Sequence, residues 1–290
     1  MSEEIDFVIL WVDGNDPEWQ REKQKYEEKE KGDKRNIRFR DWDILHFWFR
    51  SVEKFAPWVN KIHFVTWGHL PKWLNINHPK LNIVKHEDFL DKKNLPVFNS
   101  RAIEINLHRI PGLAEQFVYF NDDMFITKPV TKDDFFKNGL PRDVAIPNPT
   151  PSTQRLGIGC AIANNMEIIN TRFNKRKSIK RNFFNWYNLK YRRHLLASIC
   201  MLPWSNFASF LSTHIPHSYL KSTFEEVWKK EEKILKETSS SKFRNKENVN
   251  QWLMRYWQLA TGQFEPISIN DGKNFMLSDD NQDAINAIIN

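Results

Sequence analysis

Four short runs of β-branched and aromatic residues mark the first 120 positions: Ile5 to Val12, Lys61 to Trp67, Leu81 to Val84 and Phe117 to Phe120. Such runs read as buried strands. Between them lie two segments with helical spacing. Asp41 to Phe55 places Ile44, Leu45, Trp48, Val52 and Phe55 on one side. Val97 to Ile110 does the same with Ala102, Ile103, Leu107 and Ile110, behind a cap at Asn99 or Ser100. On a different face of that second segment, Arg101, Glu104 and His108 recur at steps of three and four. Pro71-Lys-Trp-Leu reads as a short helical turn. Strands alternating with helices commit a chain to an α/β fold with a mostly parallel central sheet and flanking helices. Ligands of such sheets bind outside the carboxyl ends of the strands. The chemistry is therefore sought where these runs stop.

Two runs stop abruptly in polar residues. The first gives way to Asp13-Gly14-Asn15-Asp16-Pro17, a turn that could approach a ligand through Gly14 or be an ordinary strand-to-loop transition. The fourth ends in Asn121-Asp122-Asp123. Adjacent carboxylates at that edge suit a hard cation shared with substrate phosphates. They equally suit a polar turn whose side chains cap the next amides.

Charge narrows the partners. The net charge of +7 and pI near 9.2 favour anionic ones: phosphorylated substrates, acidic polymers, nucleic acid or an anionic membrane. Only Cys160 and Cys200 are present, in no metal-ligand spacing, which argues against a disulfide framework and a structural zinc site. No signal peptide and no membrane-length apolar stretch is visible, so the expected location is cytoplasmic, with peripheral contact at the inner face of the membrane.

Residues Gln20 to Arg40 read as a charged helix or loop outside the core, and Asp133 to Pro151 as loop with a short turn of helix. Gly157-Ile-Gly-Cys160 permits close backbone approach but lacks the rest of any phosphate-cradling fingerprint. From Asn170 to His194, nine cations (Arg172, Lys175, Arg176, Lys177, Lys180, Arg181, Lys190, Arg192, Arg193) interleave with Phe173, Phe183, Phe184, Trp186 and Tyr187. Three readings stay open there: a solvated helical face, an acidic-polymer or nucleic-acid site, and a surface that lies on anionic membrane. His214-Ile-Pro-His217-Ser-Tyr-Leu-Lys221 forms a second chemical cluster. Arg244 sits in a charged stretch otherwise suited to solvent, Asn248 to Leu259 is an amphipathic helix, and Asp279-Asp280-Asn281 is a late acidic group.

These segments resemble the Stealth family of sugar-phosphate transferases. Asp6-Phe-Val-Ile-Leu-Trp-Val-Asp-Gly14 looks like its first conserved region. Arg38 to Lys128, with APWVNKIHFVTWGHLPKWLN, NSRAIEINLHRIPGL and FVYFNDDMF, looks like its second. His214-Ile-Pro-His217 and Asn274-Phe-Met-Leu-Ser-Asp-Asp-Asn281 resemble its third and fourth. The resemblance implies a nucleotide-sugar transferase fold of the GT-A kind. It also implies a single catalytic domain over 1–290, with a nucleotide-sugar and metal-binding α/β part at 1–150 and a helical acceptor and catalytic part at 151–290.

The implied reaction moves a hexose 1-phosphate, an N-acetylhexosamine 1-phosphate in the first instance, from a UDP-sugar to a glycan hydroxyl. A phosphodiester forms and UMP leaves. Asp122 and Asp123 would bind Mg²⁺ or Mn²⁺, and His214 and Arg244 match the family's catalytic histidine and functional arginine. Asp13, Gly14, Arg101, Asn121, His217 and Lys221 are the expected substrate contacts. The alternatives are a metal-dependent glycosyltransferase releasing UDP, and a non-catalytic basic protein that binds nucleic acid or membrane. The resemblance disfavours a nucleic-acid partner.

Overall fold

The computed structural model describes residues 4–150, 157–211 and 214–274. Asp279, Asp280 and Asn281 lie outside the described residues.

The strands are β1 (Ile5–Leu10), β2 (Ile62–Thr66), β3 (Leu81–Lys85), β4 (Gln116–Phe120), β5 (Phe136–Lys137), β6 (Leu140–Asp143), β7 (His217–Leu220) and β8 (Glu265–Pro266). Four helices precede residue 110: α1 (Pro17–Glu27), α2 (Leu45–Phe55), α3 (His86–Phe89) and α4 (Ser100–Glu104). Seven follow: α5 (Ile158–Arg172), α6 (Lys175–Arg181), α7 (Phe183–Trp186), α8 (His194–Cys200), α9 (Lys221–Lys230), α10 (Glu232–Ser240) and α11 (Trp252–Thr261).

The central sheet has the order β3-β2-β1-β4-β7. The first four strands are parallel; β7 closes the edge antiparallel to β4, with Tyr119 opposite His217 and Gln116 opposite Leu220. A second sheet, β5-β6-β8, is small. Both faces of the main sheet are covered. In β4, Val118 and Phe120 join Trp48 and Val52 of α2 in one apolar cluster. Phe117 and Tyr119 face the other way, into a cluster with Ile162, Phe224, Leu253 and Trp257 from α5, α9 and α11. That second cluster unites residues from both halves of the chain. Burial on two faces explains why these strands read as continuous apolar runs.

The one polar interruption in β1 has a structural explanation. Asp6 accepts from Asn60 Nδ2 at 2.8 Å and from the Ala114 amide at 2.8 Å, and meets His63 Nε2 at 2.9 Å. Burial alone would raise its carboxyl; the His63, Ala114 and Asn60 hydrogen bonds outweigh that and leave it below the ordinary value.

Several expectations are corrected. The 97–110 segment is α4 followed by a separate 3₁₀ turn at Leu107–Arg109, although Asn99 does cap it by accepting from the Arg101 amide. Pro71 to Leu74 forms a single turn, closed by the Leu74 amide donating to the Pro71 carbonyl at 3.1 Å. The 133–151 loop contains β5 and β6, too short for any periodicity to show. The 20–40 stretch is not wholly outside the core. Lys23 is buried against Glu27 and the Lys34 carbonyl, and Asp33 is buried against Arg35 and Arg38. A buried charge requires such a partner. No helix among the described residues is long and apolar enough to cross a membrane.

Candidate active site

Chain order in the main sheet reverses between β1 and β4. From β1 the chain steps outward to β2 and β3, then returns to β4 on the other side of β1. The carboxyl ends of β1 and β4 thus border the switch point where open α/β sheets hold ligands. Asp13 and Gly14 follow β1; Asn121, Asp122 and Asp123 follow β4.

Opposite these carboxylates the chain entering β7 supplies a histidine. Since β7 runs antiparallel to β4, residues just before it fall at β4's carboxyl end, and His214 Nε2 lies 3.0 Å from both carboxylate oxygens of Asp123. That hydrogen bond to Asp123 raises the His214 pKa against the opposing effect of burial. Asp122 is more enclosed. Burial, reinforced by Asp123, pushes its carboxyl up to about 6.

A chain of hydrogen bonds connects this edge to Arg244. Tyr119 Oη donates to Asn121 Oδ1 at 2.7 Å and lies 3.4 Å from Glu104 Oε1. Ser100 Oγ donates to the same Glu104 oxygen at 2.8 Å and accepts from Arg244 Nη2 at 2.6 Å. Arg244 is brought there by a β-bridge to Asp33, whose amide donates to the Arg244 carbonyl at 2.8 Å. Burial lowers the Arg244 pKa and Glu104 opposes that shift. Arg101 stands beside it. Burial and the charge of Arg244 bring Arg101 down to about 10, and its guanidinium donates to the carbonyls of Asn245 and Gly157 at 3.1 Å each. Gly157 therefore serves as an acceptor at the start of α5.

The β1 turn is held in two ways. The Asp13 amide donates to His69 Nε2 at 2.8 Å, an acceptor role that fits an imidazole whose pKa burial has lowered. Gly14 has no room for a side chain, since a Cβ there would lie 1.9 Å from the Phe39 carbonyl oxygen. The close approach expected at Gly14 is thus to the chain itself.

Of two further expected contacts, Lys221 is not brought to this edge, and His217, opposite Tyr119 near it, is enclosed. Lys221 follows Leu220, which pairs with Gln116 at the amino end of β4; its amide donates to the Glu115 carbonyl at 2.8 Å. It sits at the opposite edge of the sheet because β7 runs antiparallel. His217 is buried within β7, packed on Tyr219 and Trp252.

Other participants carry weaker sequence signals. Glu104 and Ser100 lie in the capped 97–110 segment, where Glu104 stood out as a polar residue at helical spacing. Asp41 accepts from Trp11 Nε1 at 3.2 Å and adds to the upward push on Asp122. His69 follows the second strand as Asp13 follows the first.

The donor set bears on a metal. Two adjacent carboxylates, one of them pushed toward neutrality by burial and by its neighbour, gain from a cation between them. Among the described residues no group of three or more His, Cys, Asp or Glu side chains forms a cage. The arrangement fits Mg²⁺, which binds through one or two carboxylates and fills its shell with water and substrate phosphate.

An α/β sheet with carboxylates and a carboxylate-oriented histidine at its switch point, linked by hydrogen bonds to an arginine, is an arrangement suited to phosphoryl transfer. The sequence places it more narrowly. Residues 3–31 match Stealth protein CR1, conserved region 1, and residues 38–143 match Stealth protein CR2, conserved region 2. The chain is similar to a capsular polysaccharide phosphotransferase of Streptococcus pneumoniae, 49% identical over 290 residues, covering 99% of this chain and 86% of that one. An exopolysaccharide phosphotransferase of Lactiplantibacillus plantarum is 42% identical over 277 residues, 95% and 81% of the two chains. A receptor polysaccharide phosphotransferase of Streptococcus gordonii is 43% identical over 270 residues, 91% and 80%. The chain belongs to the Stealth family of sugar-phosphate transferases.

Proposed function

We propose that the chain transfers a hexose 1-phosphate, an N-acetylhexosamine 1-phosphate in the first instance, from a UDP-sugar to a glycan hydroxyl. The reaction makes a phosphodiester and releases UMP, in the synthesis of capsular or other cell-surface polysaccharide. The observation that carries this reading is the His214–Asp123 contact at the carboxyl end of β4, beside Asp122. The order 3-2-1-4 with an antiparallel edge strand supports a nucleotide-sugar transferase sheet of the GT-A kind.

Asp123 orients His214. With Nε2–H donated to the carboxylate, Nδ1 keeps its lone pair and takes the proton of the acceptor hydroxyl as that oxygen attacks phosphorus. The bond broken is the one between the two phosphorus atoms' bridging oxygen and the sugar-bearing phosphorus, so the sugar–phosphate bond survives and UMP departs. Arg244 offers its guanidinium to the transferred phosphate, held in place by Ser100 and Glu104. Asp122, with Asp123, would hold Mg²⁺ or Mn²⁺; the ion supplies charge neutralisation to the donor diphosphate. The β1 turn at Asp13 and Gly14, braced by His69, borders the donor. Relatives named for capsular, exopolysaccharide and receptor polysaccharide support a glycan acceptor.

The test is donor turnover with Mg²⁺, a panel of UDP-sugars and an oligosaccharide acceptor, with the released nucleotide identified by chromatography. UMP is expected, with losses of roughly 10²- to 10⁴-fold in His214→Ala and a comparable loss in Asp122→Ala. Release of UDP would move the enzyme to glycosyl transfer. Absence of turnover with every nucleotide sugar would leave the non-catalytic reading.

A further inference from the structure

The segment from α6 to the end of α8 is absent from the active site and has an unusual surface. Between Glu167 and Glu225 the chain contains no acidic residue. Of the lysines and arginines in this interval only Arg172 forms an ion pair among the described residues, with Glu231. Arg176, Lys177, Lys180, Arg181, Arg192 and Arg193 are exposed. The same surface carries large apolar side chains in water: Phe184 is 80% exposed, Leu189 85%, Leu196 67% and Trp204 61%. Leu196 and Ile199 share a face of α8 at a step of three, and Ile199 is also exposed.

Two internal ties bring the cations and the apolar residues together. Lys175 Nζ donates to the carbonyls of Met201 and Trp204, at 2.5 and 2.8 Å, which clamps the start of α6 beside the end of α8. Trp186 is buried under α7, stacked on Phe207, so Phe183 and Phe184 are left on the outside. Both ties use buried groups and leave the exposed ones free to face outward.

We propose that this surface, α6 to Trp204, docks the enzyme on an anionic lipid bilayer. Apolar side chains enter the headgroup boundary while the surrounding cations meet lipid phosphates, a pattern that binds interfaces through apolar area and charge together. The missing acidic residues remove the repulsion that would oppose such contact. Docking here also orients the active site, because the chain runs from this surface through Phe207 and Leu211 to His214. The inference stands apart from the donor chemistry.

The experiment is co-sedimentation of the full chain with phosphatidylcholine vesicles, with and without phosphatidylglycerol, at low and raised salt. Binding is expected only with phosphatidylglycerol, and weakened by salt. Each cation near an anionic leaflet changes partitioning roughly fivefold. The variant Arg176→Glu/Lys180→Glu/Arg192→Glu/Arg193→Glu should therefore lose well over tenfold. Phe184→Ser/Leu196→Ser/Trp204→Ser should lose binding with its charge intact. Nucleotide release with a soluble acceptor should stay at the wild-type rate in both, which shows that they fold. Equal binding to neutral vesicles, or wild-type binding by the charge variant, would overturn the proposal. So would capture by a soluble polyanion without vesicle binding, or loss of a dimer in the apolar variant with no change on vesicles.

Discussion

Asp143 and Arg255 make a severe test of how the two halves of the chain are joined. Arg255 is fully enclosed in α11, and its Nε and Nη2 each donate to one Asp143 carboxylate oxygen at 2.7 Å. The same Nη2 donates to the Leu211 carbonyl at 3.0 Å, three residues before His214. Asp143→Asn keeps the shape and removes the charge, leaving a guanidinium buried against a neutral amide. Breaking one partner of such a pair costs about 3–5 kcal/mol, a large part of the roughly 5–15 kcal/mol that holds a typical domain folded. At an m-value of about 3 kcal/mol per molar urea, the midpoint followed by tryptophan fluorescence should drop by about 1–2 M with the slope unchanged. Replacing both partners, Asp143→Leu with Arg255→Met, should recover most of that loss, because apolar replacements of a buried pair are often neutral. A drop below about 0.3 M in Asp143→Asn would show that water reaches the pair and refute the burial argument.

Further outcomes follow from individual residues. Gly14→Ala forces the β1 turn away from Phe39, so KM for the donor should rise several-fold; an unchanged KM would mean the turn does not border the nucleotide. Lys221→Ala should leave turnover within about twofold of wild type, a difference of only ~0.4 kcal/mol in barrier, since Lys221 lies at the far edge of the sheet; a large loss would contradict that placement. His108 bears on pH. Burial, together with Arg109 and Lys221, brings its pKa down to about 3. The unfolded chain therefore binds this proton at a higher pH than the folded one. The stability it contributes is full above about pH 6.5 and falls as pH drops toward 3, by about 1.4 kcal/mol per unit. Between pH 7 and pH 5, urea midpoints of wild type should fall relative to His108→Gln; a constant difference would show His108 stays neutral in both states.

The residues that declared themselves in the sequence are those governed by local rules. β1, β2 and β4 are visible because burial on both faces leaves few polar positions in the apolar run, and Asp13 and Asp122 because such runs stop there. The match of Asn99 to its cap is equally local. What the sequence hid depends on pairing across long separations. Nothing around Ser218 signals that β7 runs antiparallel to β4, and that one fact sends Lys221 away from the site and His214 to Asp123. The bridge from Asn121 through Tyr119, Glu104 and Ser100 to Arg244 spans over a hundred residues. Lys23 and Asp33 look like surface charges until their partners are placed beside them. Gly14 is legible as a tight turn, but the chain that fills the space above it, at Phe39, is not.

The antiparallel edge strand also sets a schedule. During synthesis the carboxylates of β4 leave the ribosome almost a hundred residues before His214 and more than a hundred before Arg244. A nascent chain thus carries Asp122 and Asp123 while it still lacks His214 and Arg244, the base and the phosphate-facing cation of the proposed mechanism. On that mechanism it consumes no donor in that interval. Competence, on the same mechanism, arrives only when β7 adds to β4 and the loop after α10 closes on Ser100, so a working copy is one in which these late-made elements are already seated.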